Sequence, residues 1–533
     1  YTGNTELDAG ELWVATGGKI ANASTIYVGN GGSMATVAKV WLESANVTIT
    51  NPITINNGND TTRYVGGLHT SGSSRFLGAI AMNGPTFLEA ASGGTVEFGG
   101  ALSGSSALNK SGAGVVVLHG TNSHTGVNYV RAGTLRVPRD RGFGSIPGGA
   151  AEFINLWSTG TLELDGTYTL HANRRIELGT VAGPKMSVTS GNALTYGGQI
   201  SGSANWSKEG TGQINLTGAS TYTGALAINA GVVNVQNATA LGTTAAGTTV
   251  ASGAALEVQG GITVEAEALT LNGTGVSSGG ALRFVSGNNT YQGAITLGSD
   301  ASIVCVANSP VISGNISCGA NYTVTMTVNG TMIDFTGALS GTKTTGNGSF
   351  IKDGTGYLVL RTGNNSGLTG DTRINAGEIR IGNANGMAGG GKLIMADGTG
   401  LKSYSGTDYT VTKNLTLNGN VTFGEAATRT GSITLNGTTD LASGTRTIQV
   451  LQPSGDYTEL QGIVSGGGIT KTGAGRLALA GANTYGGNTT ISAGTLALTN
   501  AGALANSPVV SIAGGATLDV SGRTTALTLA SGQ

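Results

Sequence analysis

Residues 468–498 read GITKTGAGRLALAGANTYGGNTTISAGTLAL, and this stretch decides the fold. Lys471, Gly473 and Gly475 open it, and Leu477 and Leu479 follow at a spacing of two, the mark of a strand with one buried face. Beyond Tyr485 and an Ala-Gly turn at Gly494, Leu496 and Leu498 repeat that pattern. The step from Leu477 to Leu496 is long enough for one lap of a coil and too short for a βαβ unit with a real helix. Stacked laps bring parallel strands about 4.8 Å apart and place like side chains in columns. Glycine supplies the positive-φ corners where the chain changes sheet.

Working outward, the same text occurs three more times. Lys110, Gly112 and Gly114 precede Val116 and Leu118; Lys208, Gly210 and Gly212 precede Ile214 and Leu216; Lys352, Gly354 and Gly356 precede Leu358 and Leu360. The second strand carries Leu135 and Val137, Val233 and Val235, or Ile379 and Ile381, after Gly133, Gly231 and Gly377 respectively. The interval from the lysine to that later glycine is the same in three copies and two positions longer in the third, where Gly363 to Gly370 holds an insertion. The four lysines, at positions 110, 208, 352 and 471, are too unevenly spaced for the blades of a β-propeller, which is the competing fold. Between them the strand-and-glycine habit persists, as in Val-Glu-Phe-Gly-Gly at 96–100. The expectation is therefore an all-β, elongated parallel solenoid running through residues 1–533 as one body. Laps of about 19 to 25 residues give it about 21 to 28 rungs and a length of about 100 to 135 Å. Helical periodicity is confined to Glu265–Leu271, which passes into a strand-like alternation at Leu269.

Composition narrows the function classes. A mass of 52.7 kDa over 533 residues means a mean residue of about 99 Da, and 94 glycines account for much of that lightness. With 27 Lys and Arg against 28 Asp and Glu, the net charge of −1 removes the general attraction that nucleic acid or an anionic membrane requires. Eight prolines and no three-residue glycine period exclude collagen, and 38% hydrophobic residues argue against wholesale disorder. No apolar run reaches the length of roughly 18 residues that marks a membrane-spanning helix, so no direct membrane insertion is expected. The opening at Tyr1 and the finish at Ser531-Gly532-Gln533 read as processed or cut ends.

The modules at 107–137, 205–235, 350–381 and 468–498 resemble the autotransporter-associated β-strand repeat, or passenger-associated transport repeat, of bacterial autotransporter passenger domains. The first has His124 in place of the tyrosine, the third loses the aromatic at its insertion, and Gly287 to Gly293 is a partial copy around Tyr291. The resemblance implies a right-handed parallel β-helix carried across the outer membrane of a Gram-negative-type bacterium and displayed outside the cell. Nearest-neighbour contacts would let such a coil fold rung by rung as it emerges. The chain shows no C-terminal β-barrel pattern of about ten-residue alternating strands. Either a barrel has been removed or export follows another route.

Candidate sites are few. Glu163 and Asp165, at i and i+2 on a strand, stand roughly 6 to 7 Å apart, a spacing compatible with acid/base cleavage of a polysaccharide and equally with a wet strand face. Arg131, Arg136, Arg139, Arg141, Arg174 and Arg175 form the densest basic group, a candidate stripe for an anionic glycan or lipopolysaccharide. His69, His119, His124 and His171 have no metal-ligand spacing and are expected at surface or turn positions. Cys305 and Cys318 would suit either a disulfide between neighbouring strands or two buried thiols. Tyr222, Tyr291 and Tyr485 recur just ahead of a glycine and either cover an end of the core or offer a sugar-stacking platform. Gly389-Gly390-Gly391-Lys392 lacks the phosphate-loop order, and no catalytic residue, cofactor or metal is expected. The chain reads as a surface-exposed adhesin, stalk or coat that pairs end to end with copies of itself or holds host or matrix glycans or surface proteins. A secreted polysaccharide hydrolase or lyase on the same scaffold is the alternative, and a spacer serving only export is a third class.

Overall fold

The computed structural model describes residues 3–20, 24–29, 37–56, 63–180, 183–427, 430–504 and 506–529; Tyr1 and Ser531 to Gln533 lie outside them. The chain divides into two compact units, Tyr1–Glu257 and Val258–Gln533, each a stack of parallel strands. Three turns of 3₁₀ helix, Asp140–Phe143, Val276–Ser278 and Asn365–Gly367, are the helical elements among the described residues. Glu265 to Glu267 forms no helix, and a strand runs over Leu269–Gly273.

In the first unit, successive laps contribute strands to separate sheets. Ile26–Val28, Ile53–Ile55, Ile80–Met82 and Leu102–Ser103 belong to a five-stranded sheet. A nine-stranded sheet includes Ala38–Leu42, Arg63–Gly67, Thr86–Ala90, Leu108–Ser111, Asn128–Val130, Ala151–Leu156 and Arg174–Leu178. Pairing in the five-stranded sheet is parallel and in register, so Ile26 stands on Ile53, Ile53 on Ile80 and Ile80 on Leu102. These four are buried to 1% exposure or less. Each such aliphatic side chain withdrawn from water contributes about 1.5–3 kcal/mol, which is why a period-two pattern repeated each lap specifies the coil.

The second unit follows the same rule with a twelve-stranded sheet. There Ile379, Leu401, Phe423 and Val450 belong to successive strands of one interior face. A six-stranded sheet stacks Leu477 on Leu496 and Leu496 on Leu518. The step from Leu477 to Leu496 read from sequence is thus the lap itself. Parallel pairing of each strand with the next lap excludes propeller blades, whose strands meander antiparallel.

Candidate functional site

The lysine that opens each repeat sits on the inward side of its strand, inside an apolar column. Lys110 lies between Leu88 and Val130, Lys208 between Met186 and Ile228, Lys352 between Met326 and Ile374, and Lys471 between Ile448 and Ile491. All four are fully buried. Each ammonium is spent on backbone carbonyls of its own turn and of the next lap. Lys110 Nζ donates to Ser111 O, Gly112 O and Ala132 O at 2.6 to 2.8 Å. Lys352 meets Asp353, Gly354 and Ala376 at 2.7 to 3.0 Å, and Lys471 meets Thr472, Gly473 and Ala493 at 2.8 to 3.0 Å. Lys208 has four acceptors, on Glu209, Gly210, Gly212 and Ala230, at 2.8 to 3.1 Å.

The glycines make this cage possible, in two different ways. Gly112, Gly210, Gly354 and Gly473 have φ between +70° and +76°, which turns each carbonyl toward the ammonium. Gly133, Gly231, Gly377 and Gly494 stack on the motif from the next lap with φ between +61° and +67°. The second glycine of each motif corrects the expectation of a left-handed corner: Gly114, Gly212, Gly356 and Gly475 are not among the positive-φ positions. They are glycine because the previous lap passes too close for a side chain. A Cβ would fall 2.1 Å from Ala91 O at Gly114, 2.3 Å from Thr189 O at Gly212, 2.3 Å from Gly330 O at Gly356 and 2.7 Å from Gln452 O at Gly475.

Burial pushes the Lys110 ammonium down to about 7 and those of Lys208, Lys352 and Lys471 down to about 8; Glu89 opposes the shift at Lys110, Glu209 at Lys208, and Asp353 with Glu378 at Lys352. An ammonium has three donors and all are engaged, so the cage holds the coil and offers nothing to a ligand.

A fifth caged lysine lies outside the repeat motif. Lys413 is 1% exposed and donates to Leu368 O at 3.0 Å, to Gly370 O at 3.5 Å and to Gly390 O. Burial lowers it to about 8. Since its acceptors all come from earlier laps, no local motif could have announced it. Sequence reading also missed an asparagine bracket. Asn122, Asn365 and Asn483 each accept from a backbone N–H one lap earlier, on Leu102, Leu339 and Val464, and donate to a carbonyl one lap later, on Gly142, Gly386 and Ala503. The available signal was Asn two positions ahead of the aromatic slot in the first and fourth modules.

That aromatic slot is interior. Tyr222, Tyr291 and Tyr485 are at most 2% exposed, which removes them as a sugar platform. Tyr485 shares a 2.8 Å hydrogen bond with Thr489, Tyr291 donates to Glu267 O at 2.8 Å, and Tyr222 lies edge-on to Trp206. His124 fills the slot in the first module, fully buried and 3.0 Å from Asn128 Oδ1, with burial pulling its pKa down. His69 is also buried, 2.7 Å from Ser74 Oγ. Both correct the surface half of the expectation: they lie in the connections between strands, where their side chains face the interior and each has the hydrogen-bond partner that a buried imidazole needs. His119 and His171 are exposed as expected.

The six arginines do not converge. Arg174 has zero exposure, because it alternates with Ile176 and Leu178 on the inward side of its strand. Its guanidinium holds Asp140 through two contacts of 2.9 and 3.2 Å and donates to Ser145 O and Gly144 O. Arg136, on a different sheet from Arg174 and Arg175, is paired with Glu163. Arg139 and Arg141 are exposed, whereas Arg131 lies half-buried between Tyr129 and Trp157. Asp165 accepts from Thr189 Oγ1 at 2.8 Å, so both members of the Glu163 and Asp165 pair are engaged. Cys305 and Cys318 are free and buried, not bridged. Cys305 pairs across to Val328 whereas the Cys318 amide bonds Ser340 O, on another strand line. Among the described residues no group of three or more His, Cys, Asp or Glu is placed to hold a metal ion.

With this geometry in hand, comparison with known proteins gives two matches. Residues 108–137, 207–235, 350–381 and 469–498 match the passenger-associated-transport-repeat family, nearly the same bounds as the modules read from the caged lysines and their glycines. The adhesin BmaC autotransporter of Brucella suis biovar 1 (strain 1330) is 37% identical over 148 residues, 26% of this chain but 4% of that relative. This chain therefore spans a small part of the relative's length. No solved structure matches it. The chain carries four passenger-associated transport repeats and resembles an autotransporter passenger.

Proposed function

We propose that this chain is a non-enzymatic, adhesive segment of an autotransporter-type passenger, displayed on or released from the surface of a Gram-negative bacterium. The observation that carries the reading is the use of the repeat's polar groups: every ammonium of the four modules is consumed by carbonyls of its own and the next lap. Such groups build a scaffold that closes lap by lap, as a protein folding outside the cell without ATP requires. The engagement of Glu163 by Arg136 and of Asp165 by Thr189 supports the non-enzymatic side, since neither carboxylate stands free to protonate or attack a glycosidic bond. Fusing the chain to an outer-membrane export barrel in a non-adherent host tests it. Surface exposure with increased attachment to host cells or matrix is expected. Cleavage of any member of a polysaccharide panel by the purified chain, lost in Glu163→Ala, would replace the adhesin by an enzyme.

A further inference from the structure

Three of the four tryptophans, Trp13, Trp41 and Trp157, belong to the nine-stranded sheet of the first unit or follow one of its strands directly, and they face outward from it. Trp157 differs from Trp41 in being open, at 47% exposure. Its indole lies over Gly179 of the next lap, where an added Cβ would come within 2.5 Å of Cδ1. Tyr129 stands one lap earlier on the same face, and the Arg131 guanidinium sits 4.9 Å from the Tyr129 ring centre and 5.0 Å from that of Trp157. Two aromatic faces are thereby braced on the outside of a rigid sheet.

Polar groups beside them have unused capacity. Asn155 is directly opposite Tyr129 and 7% exposed; its Nδ2 donates to Glu152 Oε1 at 2.7 Å, while its Oδ1 is buried without a hydrogen-bond partner. One lap further, Arg175 donates through Nη2 to Ser201 Oγ at 3.3 Å and leaves Nε buried and unpartnered. Ser201 in turn donates to Glu177, the residue opposite Asn155. An orphan acceptor and an orphan donor on neighbouring laps are complementary to a group that both gives and takes a hydrogen bond. A hydroxyl does so, and a carboxylate or sulfate does not. The charges agree: Arg131 and Arg175 are balanced by Glu152 and Glu177, leaving no surplus to attract an anion.

We propose that this face, centred on Trp157, Tyr129 and Asn155, binds a neutral hexose-containing glycan, with a pyranose ring stacked on the indole, hydroxyls of the glycan chain reaching Asn155, and a further sugar residue reaching Arg175, which stands opposite Glu152. Both orphan atoms are buried, so reaching them requires Asn155 to turn its Oδ1 outward and the Arg175 guanidinium, released from its long Nη2 bond to Ser201, to turn its Nε to the sugar. The biological sense of this site rests on the surface-adhesin reading; the binding does not. It is tested on the purified chain with an array of neutral gluco-, galacto- and manno-oligosaccharides beside sialylated and sulfated ones. Binding to a neutral class is expected, weakened at least tenfold in Trp157→Ala and in Asn155→Leu, retained in Trp157→Phe and unchanged in Trp13→Ala, with circular dichroism confirming the fold. Absence of any neutral ligand, binding confined to acidic glycans, or full binding by a folded Trp157→Ala protein overturns the proposal. Failure of surface display or attachment in the barrel fusion would instead strike the adhesin reading and leave the array result standing.

Discussion

Lys208 and Lys413 perform one task by two routes. Both are buried lysines whose ammonium groups are held by backbone carbonyls. Lys208 draws three of its four acceptors from Glu209, Gly210 and Gly212 and one from Ala230 in the following lap. Lys413 draws on Leu368, Gly370 and Gly390, all laid down earlier in the chain. The repeat is therefore a largely local solution, half assembled as soon as its own turn has formed. Lys413 depends on laps already in place. The difference explains why one cage leaves a motif in the sequence and the other does not.

The comparison breaks most severely if the local turn is blocked. Gly231→Val places a β-branched residue at φ +67°, with its Cβ 2.3 Å from Gly212 O beside the Lys208 cage. We expect a loss of about 3 kcal/mol or more, from left-handed backbone strain plus overpacking. Urea unfolding should show the first unit opening well before the parent does. A midpoint within error of the parent would mean that the turn is not the closure point of the cage.

Next in size, Lys208→Met and Lys413→Met should each cost about 2 kcal/mol, since several carbonyls lose a charged donor while the buried charge they stabilised also disappears. Lys392→Met, at an exposed site, should stay within about 0.5 kcal/mol. If a single-lap deletion upstream abolishes the effect of Lys413→Met but a distant deletion leaves Lys208→Met unchanged, the local and long-range assignments are sharpened. Equal midpoints for all three variants would remove the cages as stabilising elements.

The smallest effect is on pH dependence. The folded chain holds the caged lysines at about 7 to 8, whereas a lysine in an unfolded chain titrates near about 10.4. Between about pH 8 and 10 the unfolded state thus binds more protons, so stability rises with pH across that window and is lost again as pH falls through the folded values. Above about pH 10 the trend reverses, because buried tyrosines such as Tyr485, raised to about 12, must stay neutral in the fold while unfolded tyrosine ionises. Urea midpoints at pH 7.0 and 9.5 should show a modest increase, smaller in Lys413→Met. A fall would mean that the carbonyls hold each proton more tightly than burial expels it.

Site chemistry was legible in the sequence only where it was local. Gly473 and Gly494 announce their turns through glycine alone, and Leu477 and Leu479 announce a buried face through spacing. Gly114 and Gly356 looked like the same kind of turn residue, but the reason for them lies in the carbonyls of the preceding lap, which no local pattern reveals. Arg174 carried a readable signal too, since Arg174, Ile176 and Leu178 alternate on one side of a strand; grouping it with Arg175 by charge obscured that phase. His124 shared the slot of Tyr485, and the interior position of that slot emerged only when the laps were stacked. Cys305 and Cys318 looked like neighbours because their separation is shorter than a lap, but they fall on different strand lines. The pairing of Tyr129 with Asn155 on the next lap had no signal at all, as the lap lengths around it vary.

By itself the amino-acid sequence determined the strand period, the left-handed turn glycines and the family likeness of the four modules, because each depends on residues within one or two dozen positions. Tertiary structure alone decided which side chains from different laps meet: the acceptors of Lys413, the burial of Arg174 against Asp140, and the outward cluster at Trp157. Variable loops set that register, and in a coil a shift of one residue exchanges inside for outside.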